Sequence, residues 1–225
     1  MLLPFAHSEA VRAAFPTLAC GIAQVAGISA DADTSTVIRP HLDRALKRLS
    51  LQNEGDFREI QAWRRAFSVM GLKPTQYRCA SEALLRRLRK EGTLPALHPL
   101  VDLCNAVSVA FAIPIAVFDI EQVEGGLTVR PARGGERYDT FSGTIETPEP
   151  GEIIFADEGG RAHARRWTNR QSAVSAVGPA TTDVLIVAEA LHPDAQADIE
   201  RLIASLNEAV RSAWPKASVE DWNAA

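Results

Sequence analysis

The feature that most constrains this chain is a change of pattern at Pro114. Before it, apolar residues recur at helical spacing; after it, short apolar runs are separated by paired glycines. Leu42, Ala45, Leu46 and Leu49 give an apolar face to a helix over residues 41–51. Phe57, Ile60, Trp63, Ala66 and Phe67 do the same for a second helix ending near Gly71. Ser81 and Glu82 open a third, with Ala83, Leu84 and Leu88 as its stripe and Gly92 as its stop. A long apolar helix then spans about residues 100–112. The first 30 residues predict a short strand, a helix capped by Ser8 and closed by Pro16, and a buried strand within 18–28. Beyond Pro114, residues 115–118, 128–130, 152–155 and 184–187 have strand composition. Gly125-Gly126, Gly134-Gly135 and Gly159-Gly160 serve as turns between strands. A closing helix over 193–213 turns Ile199, Leu202, Ile203 and Leu206 inward. Helices early, strands in the middle and a helix last predict an α+β fold, with a central mixed or antiparallel sheet flanked by helices. The sequence reads as one domain over 1–225, with a C-terminal tail from about 214.

Composition narrows the class. Of 225 residues, 46% are hydrophobic and 23% charged, which excludes a disordered tail or a fibrous repeat. No run approaches the ~20 apolar residues of a membrane helix; the longest, 106–118, is broken by Ser108 and Pro114. The N-terminus lacks the basic and apolar regions of a signal peptide. Three cysteines, 20, 79 and 104, show no pairing pattern. Together these predict a cytoplasmic protein without a membrane partner. The net charge of −4 is unevenly spread: residues 58–90 hold nine Lys or Arg against two acids, and 159–182 hold four Arg and no acid. Such segments suit a polyanion, or form an ordinary solvated helix face.

Several chemistries are weeded out by spacing. His7, His41, His98, His163 and His192 are scattered, so no metal and no cofactor is expected. The glycine pairs lead into strands, not into the helix a phosphate loop needs. His98, Asp102 and Cys104 cannot meet on one helix, and no Gly-x-Ser-x-Gly elbow is present. Two features survive. Asn105 sits inside an apolar helix, where a buried amide must bond to the core or to a ligand. The run 165–172 puts three cations, an indole and two amides together, a set suited to phosphates and stacked bases or to an exposed strand edge.

At these residues the sequence resembles a family. Lys73-Pro74-Thr75-Gln76-Tyr77-Arg78, Ser81-Glu82-Ala83-Leu84-Leu85-Arg86-Arg87, Leu94-Pro95 and Leu100-Val101-Asp102-Leu103-Cys104-Asn105 look like the free-standing B3/B4 proteins. Those are similar to the B3/B4 editing domain of the bacterial phenylalanyl-tRNA synthetase beta subunit. The likeness continues through Pro114–Asp119, Gly125–Arg130, Gly151–Asp157, Arg165-Arg166-Trp167 and Thr181–Leu185. It implies B3-like and B4-like halves sharing one core and enclosing a pocket for an aminoacylated tRNA 3′ end, where a wrongly attached amino acid is hydrolysed. An activated ester needs only a positioned water and oxyanion donors. The family histidine within the segment corresponding to 114–119 is replaced by Ala116. The family glutamate on a late strand aligns with Val187, and Glu189 lies two residues on, on the same strand face. The Gly-rich segment near the synthetase pocket is replaced by 165–172.

The resemblance therefore implies a trans-editing aminoacyl-tRNA deacylase. Asn105 and Glu189 are its expected catalytic residues. Ala116, Val187, Arg165, Arg166, Trp167 and Asn169 are expected to bind substrate. Lys73, Arg78, Arg86, Arg87 and Arg170 are expected to contact tRNA. Its partners would be tRNA and, secondarily, an aminoacyl-tRNA synthetase, with no DNA. The alternatives are a binding module that has lost turnover, and a hydrolase or binder of free amino-acid derivatives.

Overall fold

The computed structural model describes residues 2–223. The chain opens with β1 (Phe5–His7), α1 (Glu9–Ala14) and β2 (Ala19–Ala26), then four helices: α2 (Ser35–Leu51), α3 (Arg58–Val69), α4 (Ala80–Glu91) and α5 (Pro99–Phe111). Eight strands follow: β3 (Ile115–Asp119), β4 (Leu127–Pro131), β5 (Tyr138–Asp139), β6 (Ile145–Glu146), β7 (Ile153–Ala156), β8 (Ala162–Arg165), β9 (Arg170–Gln171) and β10 (Asp183–Ala190). Helix α6 (Ala195–Ala213) and strand β11 (Ser218–Asn223) close the described chain. The predicted order of elements holds as far as α6, with short strands β5, β6, β8 and β9 added among the expected ones and β11 added after the last helix, and the fold is α+β.

The strands form two larger sheets. One, in the order β1-β4-β7-β8-β9, is mixed, because β1 runs parallel to β4; the other, β11-β2-β10-β3, is antiparallel throughout. Strands β5 and β6 make a separate hairpin. The segment expected as a C-terminal tail instead carries β11, which pairs with β2 from Ser218↔Ala26 to Asn223↔Gly21; residues 224 and 225 lie outside the described residues. Strand β10 is central and buried on both faces, which is why its sequence is an almost unbroken apolar run. Leu185 and Val187 face a core shared with α3, α4 and the mixed sheet, while Val184, Ile186 and Ala188 face α5 and α6.

Local chemistry sets the elements as the sequence predicts, with two adjustments. Ser8 caps α1 by accepting from the Val11 amide, and Gly92 ends α4 in the left-handed conformation at φ 72°. Helix α2 begins six residues earlier than the apolar spacing suggests, and it carries Pro40 inside. The buried face of α4 runs through Ser81, Leu85 and Leu88, leaving Ala83 exposed. Gly21 is required by packing: a Cβ there would lie 2.6 Å from both Ile199 and Ile203 of α6.

Candidate functional site

A small cleft of about 60 Å³ opens between the two sheets, walled by β3, β10, β7, β8 and the turn before β9. That volume is room for water and a small group, below the few hundred Å³ of a pocket that encloses a whole ligand. Its inner walls are Ala116, Phe155, Ala164, Trp167 and Val187, and its rim carries Asn169, Arg170 and Gln171. Ala116 and Val187, two positions the resemblance singled out, are direct cross-strand partners. Glu189 lines the same cleft two residues beyond Val187, as the period of a strand requires.

Among the described residues Glu189 is the one carboxylate on the cleft wall, and it is 2% exposed. A buried charge needs donors, and the fold supplies them from two distant segments. His7 Nε2 lies 2.6 Å from Oε1, and the Trp167 indole N–H lies 2.9 and 3.0 Å from the two oxygens. On the other side of the imidazole, Arg12 Nη2 lies 3.2 Å from Nδ1. A guanidinium only donates, so Nδ1 accepts and Nε2 carries the proton presented to Glu189. Arg12 is itself fixed by donating to the Leu18 carbonyl. Sequence reasoning missed His7 and Arg12 entirely; His7 is 182 positions from its partner. Cys20, paired with Glu189 across β2 and β10, has its thiol pushed well up by burial and by that neighbouring carboxylate.

Trp167 owes its place to an unusual backbone. Arg166 and Trp167 both have positive φ, 48° and 56°, a region that costs a non-glycine residue roughly 1–2 kcal/mol. The turn is pinned by the Trp167 amide to the Ile153 carbonyl, the Arg166 amide to Glu152, and the indole to Glu189. Phe15 and Trp63 pack edge-on against the indole at 4.9 and 5.0 Å. Thr168, next in the chain, presents a buried hydroxyl with no partner among the described residues, on the cleft wall.

The remaining predicted residues are placed as follows. Trp167 is a buried wall of the cleft, not an exposed stacking surface. Arg165 is buried and spent on protein carboxylates, with two bonds to Glu152 and one to Glu146, so it does not reach the rim. Arg166 lies over the Tyr77 ring at 4.8 Å, outside the cleft. Asn169 and Arg170 are at the rim; Asn169 donates to the Arg78 carbonyl and ties the 73–78 loop to it, while Arg170 pairs with Glu146. Asn105 is half-buried on α5, makes no side-chain hydrogen bond among the described residues and does not line the cleft. Its partial exposure removes the premise of a buried amide.

The basic run is largely neutralised within the fold. Arg78 lies 3.5 Å from Glu82, Arg86 3.8 Å from Glu54 and Arg87 2.9 Å from Glu91. Lys73 is exposed.

Two further clusters carry familiar chemistry without access to a ligand. His163 joins Ser175 at 2.8 Å and Asp157 at 3.1 Å, but the serine is fully buried and off the cleft, so the array ties β8 to its neighbouring loops. Glu59, His192 and Asp198 place three possible metal ligands within 4.8 Å of one another. Arg48 holds Glu59 at 2.9 Å, Arg58 holds Asp198 at 2.7 Å and Arg201 also bonds Asp198, so guanidinium groups fill the role a cation would take.

The fold and cleft define an α+β domain with a small, mostly apolar cleft between two sheets and the buried carboxylate of Glu189 in its wall. The family model described as the B3/4 domain matches residues 62–212, and the chain belongs to that family. It is 34% identical over 110 residues to the phenylalanine–tRNA ligase beta subunit of Nocardia farcinica, covering 49% of this chain and 13% of that protein. Against the same subunit of Methylococcus capsulatus it is 38% identical over 101 residues, 44% of this chain and 12% of that protein. The chain thus spans a small part of the relatives it matches. Among solved structures, an N-terminal fragment of the phenylalanyl-tRNA synthetase beta-subunit from Pyrococcus horikoshii superposes with a TM-score of 0.52. That match covers 99% of this chain and 54% of the fragment at 8% identity, a likeness of fold alone.

Proposed function

We propose that this chain is a trans-acting hydrolase of mischarged aminoacyl-tRNA, working in the cytoplasm as a single B3/B4-like unit, with the aminoacyl group in the cleft and the tRNA 3′ end across its rim. One observation carries the reading: a buried carboxylate, held by His7 and Trp167, in the wall of an otherwise mostly apolar cavity. His7 and the indole occupy the protein side of Glu189, leaving acceptor capacity on the cleft side for a water or the substrate's ammonium group. In the hydrolytic step the water oxygen bonds to the ester carbonyl carbon as Glu189 takes its proton. The tetrahedral intermediate collapses with release of the ribose oxygen, which receives that proton back. The Thr168 hydroxyl is a donor available to the developing oxyanion. Asn169, Arg170 and the tethered 73–78 loop supply the polar rim for the nucleotide portion.

A second reading has its own support. Ala116 and Val187 stand where the resemblance implies a histidine and a glutamate, as expected of a module that binds tRNA or a synthetase without turnover. The two are separated by incubating wild type and Glu189→Gln with a panel of correctly and wrongly charged tRNAs. The hydrolase reading expects selective loss of one mischarged ester, at least a hundredfold slower in Glu189→Gln with uncharged tRNA still bound. Hydrolysis by wild type no faster than the protein-free control would leave only the binding module.

A further inference from the structure

The hairpin of β5 and β6 carries exposed apolar side chains that neither the cleft nor the core accounts for. Its tip exposes Phe141 at 73% and Ile145 at 58%, in a turn that is otherwise tightly organised. The Thr140 hydroxyl lies 2.9 Å from that of Ser142 and 2.7 Å from that of Thr144. The Thr140 amide donates to the Thr144 carbonyl at 2.9 Å, and Gly143 supplies the positive φ. A single exposed aliphatic residue needs no explanation. An aromatic ring held out on a rigid turn is different, because it offers a flat face whose ordering entropy is already spent.

The hairpin is also fastened to the rim of the cleft. Tyr138 donates its hydroxyl to the Gln171 carbonyl at 2.7 Å, and Ser172 donates to the Asp139 carbonyl at 2.9 Å. Glu146 pairs with Arg170, which lines the cleft, at 3.0 Å. The guanidinium groups of Arg165 and Arg170 lie 5.6 and 5.3 Å from the Tyr138 ring centroid. Two to three residues separate the Tyr138↔Glu146 pair from the tip, a reach on the order of 10 Å at ~3.3 Å per residue.

We propose that Phe141 is a stacking platform for an unpaired base of the tRNA 3′ end, next to the nucleotide whose ester enters the cleft. Base–aromatic stacking tolerates any base, and the exposed hydroxyls of Ser142 and Thr144 lie alongside to meet a phosphate, with buried Thr140 holding the turn. The inference rests on the tRNA reading above and deepens it by assigning the part of the nucleic acid that this hairpin meets.

The test measures affinity for an uncharged tRNA and for the same tRNA lacking its three 3′ nucleotides, using wild type, Phe141→Ala and Phe141→Trp. Phe141→Ala should weaken binding to the intact tRNA by about ten- to a hundredfold, Phe141→Trp should restore it, and the truncated tRNA should bind all three proteins alike. Unchanged affinity of Phe141→Ala overturns the platform, as does an equal loss on the truncated tRNA or wild type failing to bind tRNA. A Phe141→Ala protein that binds tRNA normally but fails to bind a synthetase overturns it in favour of a protein partner. Hydrolysis is scored separately. If wild type deacylates nothing while Phe141→Ala still loses 3′-end binding, the hydrolase reading fails and the platform stands; intact hydrolysis with unaltered binding gives the reverse.

Discussion

Trp167 and Trp63 provide a paired experiment, because two buried indoles pack on each other and only one uses its N–H. Their centroids are 5.0 Å apart, and both rings are essentially unexposed. The Trp167 N–H reaches Glu189, whereas the Trp63 N–H is buried with no partner among the described residues. Replacing either by Phe removes the same atoms and leaves a similar cavity, costing roughly 1–2 kcal/mol once the phenyl ring refills part of the site. Trp167→Phe also removes a donor from a buried carboxylate, worth about 1.5–3 kcal/mol. Trp63→Phe deletes an unsatisfied donor, which offsets its cavity by about 1 kcal/mol or more. The expected order is a loss of about 3–4 kcal/mol for Trp167→Phe and about 0–1 kcal/mol for Trp63→Phe. Urea unfolding followed by far-ultraviolet circular dichroism avoids relying on the fluorescence of the residues being changed. With a slope of about 2–3 kcal/mol per molar, the two midpoints should differ by about 1 M. Equal midpoints would refute the claim that the indole–carboxylate bond, and not ring packing, makes Trp167 special.

Three other outcomes follow from the charges and thiols. Lys73→Ala should weaken tRNA binding and reduce the slope of log affinity against log salt by about one, while Arg87→Ala, whose guanidinium is shared with Glu91, should change it less. Burial alone would raise the Glu136 carboxyl, but the Arg133 amide, the Arg130 guanidinium and the Gly134 amide overcome it and hold the group to about 2. A depressed folded-state value means that its stabilisation is full above the ordinary carboxylate range and is lost as pH falls towards 2. Glu136→Gln should therefore be less stable than wild type at pH 7 and match it near pH 2, and a constant difference at every pH would contradict this. Burial pushes the Cys79 thiol up to about 12 and those of Cys20 and Cys104 well above their ordinary value. A thiol reagent at pH 8 should leave the folded protein unmodified and label three sites after unfolding; rapid labelling of the native chain would show that one of these sites opens.

The helices and β10 were legible because each has a strong period or an unbroken apolar run, set by burial on one face or two. Strands β5, β6 and β9 have two residues each, too few to display alternation. Strand β11 is an edge with Ser218 and Glu220 exposed, so its sequence looks like a polar tail. The run 165–172 was misleading for an electrostatic reason. Three cations within six residues suggest an exposed patch, but the acids that neutralise Arg165 lie 13 and 19 positions upstream, in a segment rich in acids for no visible local reason. Pairing across a sheet is invisible to a reading that follows the chain.

The site itself shows what can and cannot be read along one strand. Val187 and Glu189 share a face because side chains alternate, so the sequence reveals that an acid lies one repeat, about 7 Å, beyond the position the resemblance favours. It does not reveal why an acid is tolerated there. That depends on β1, which joins the mixed sheet parallel to β4 and brings His7 up to the carboxylate. It also depends on the left-handed turn at Arg166 and Trp167, which aims an indole N–H at the same atoms. An acid at this point of β10 is thus matched by donors from two other elements. Glu189 therefore stands with His7, Arg12 and Trp167 as one hydrogen-bonded unit, so a change at any one of the four alters the setting of the other three.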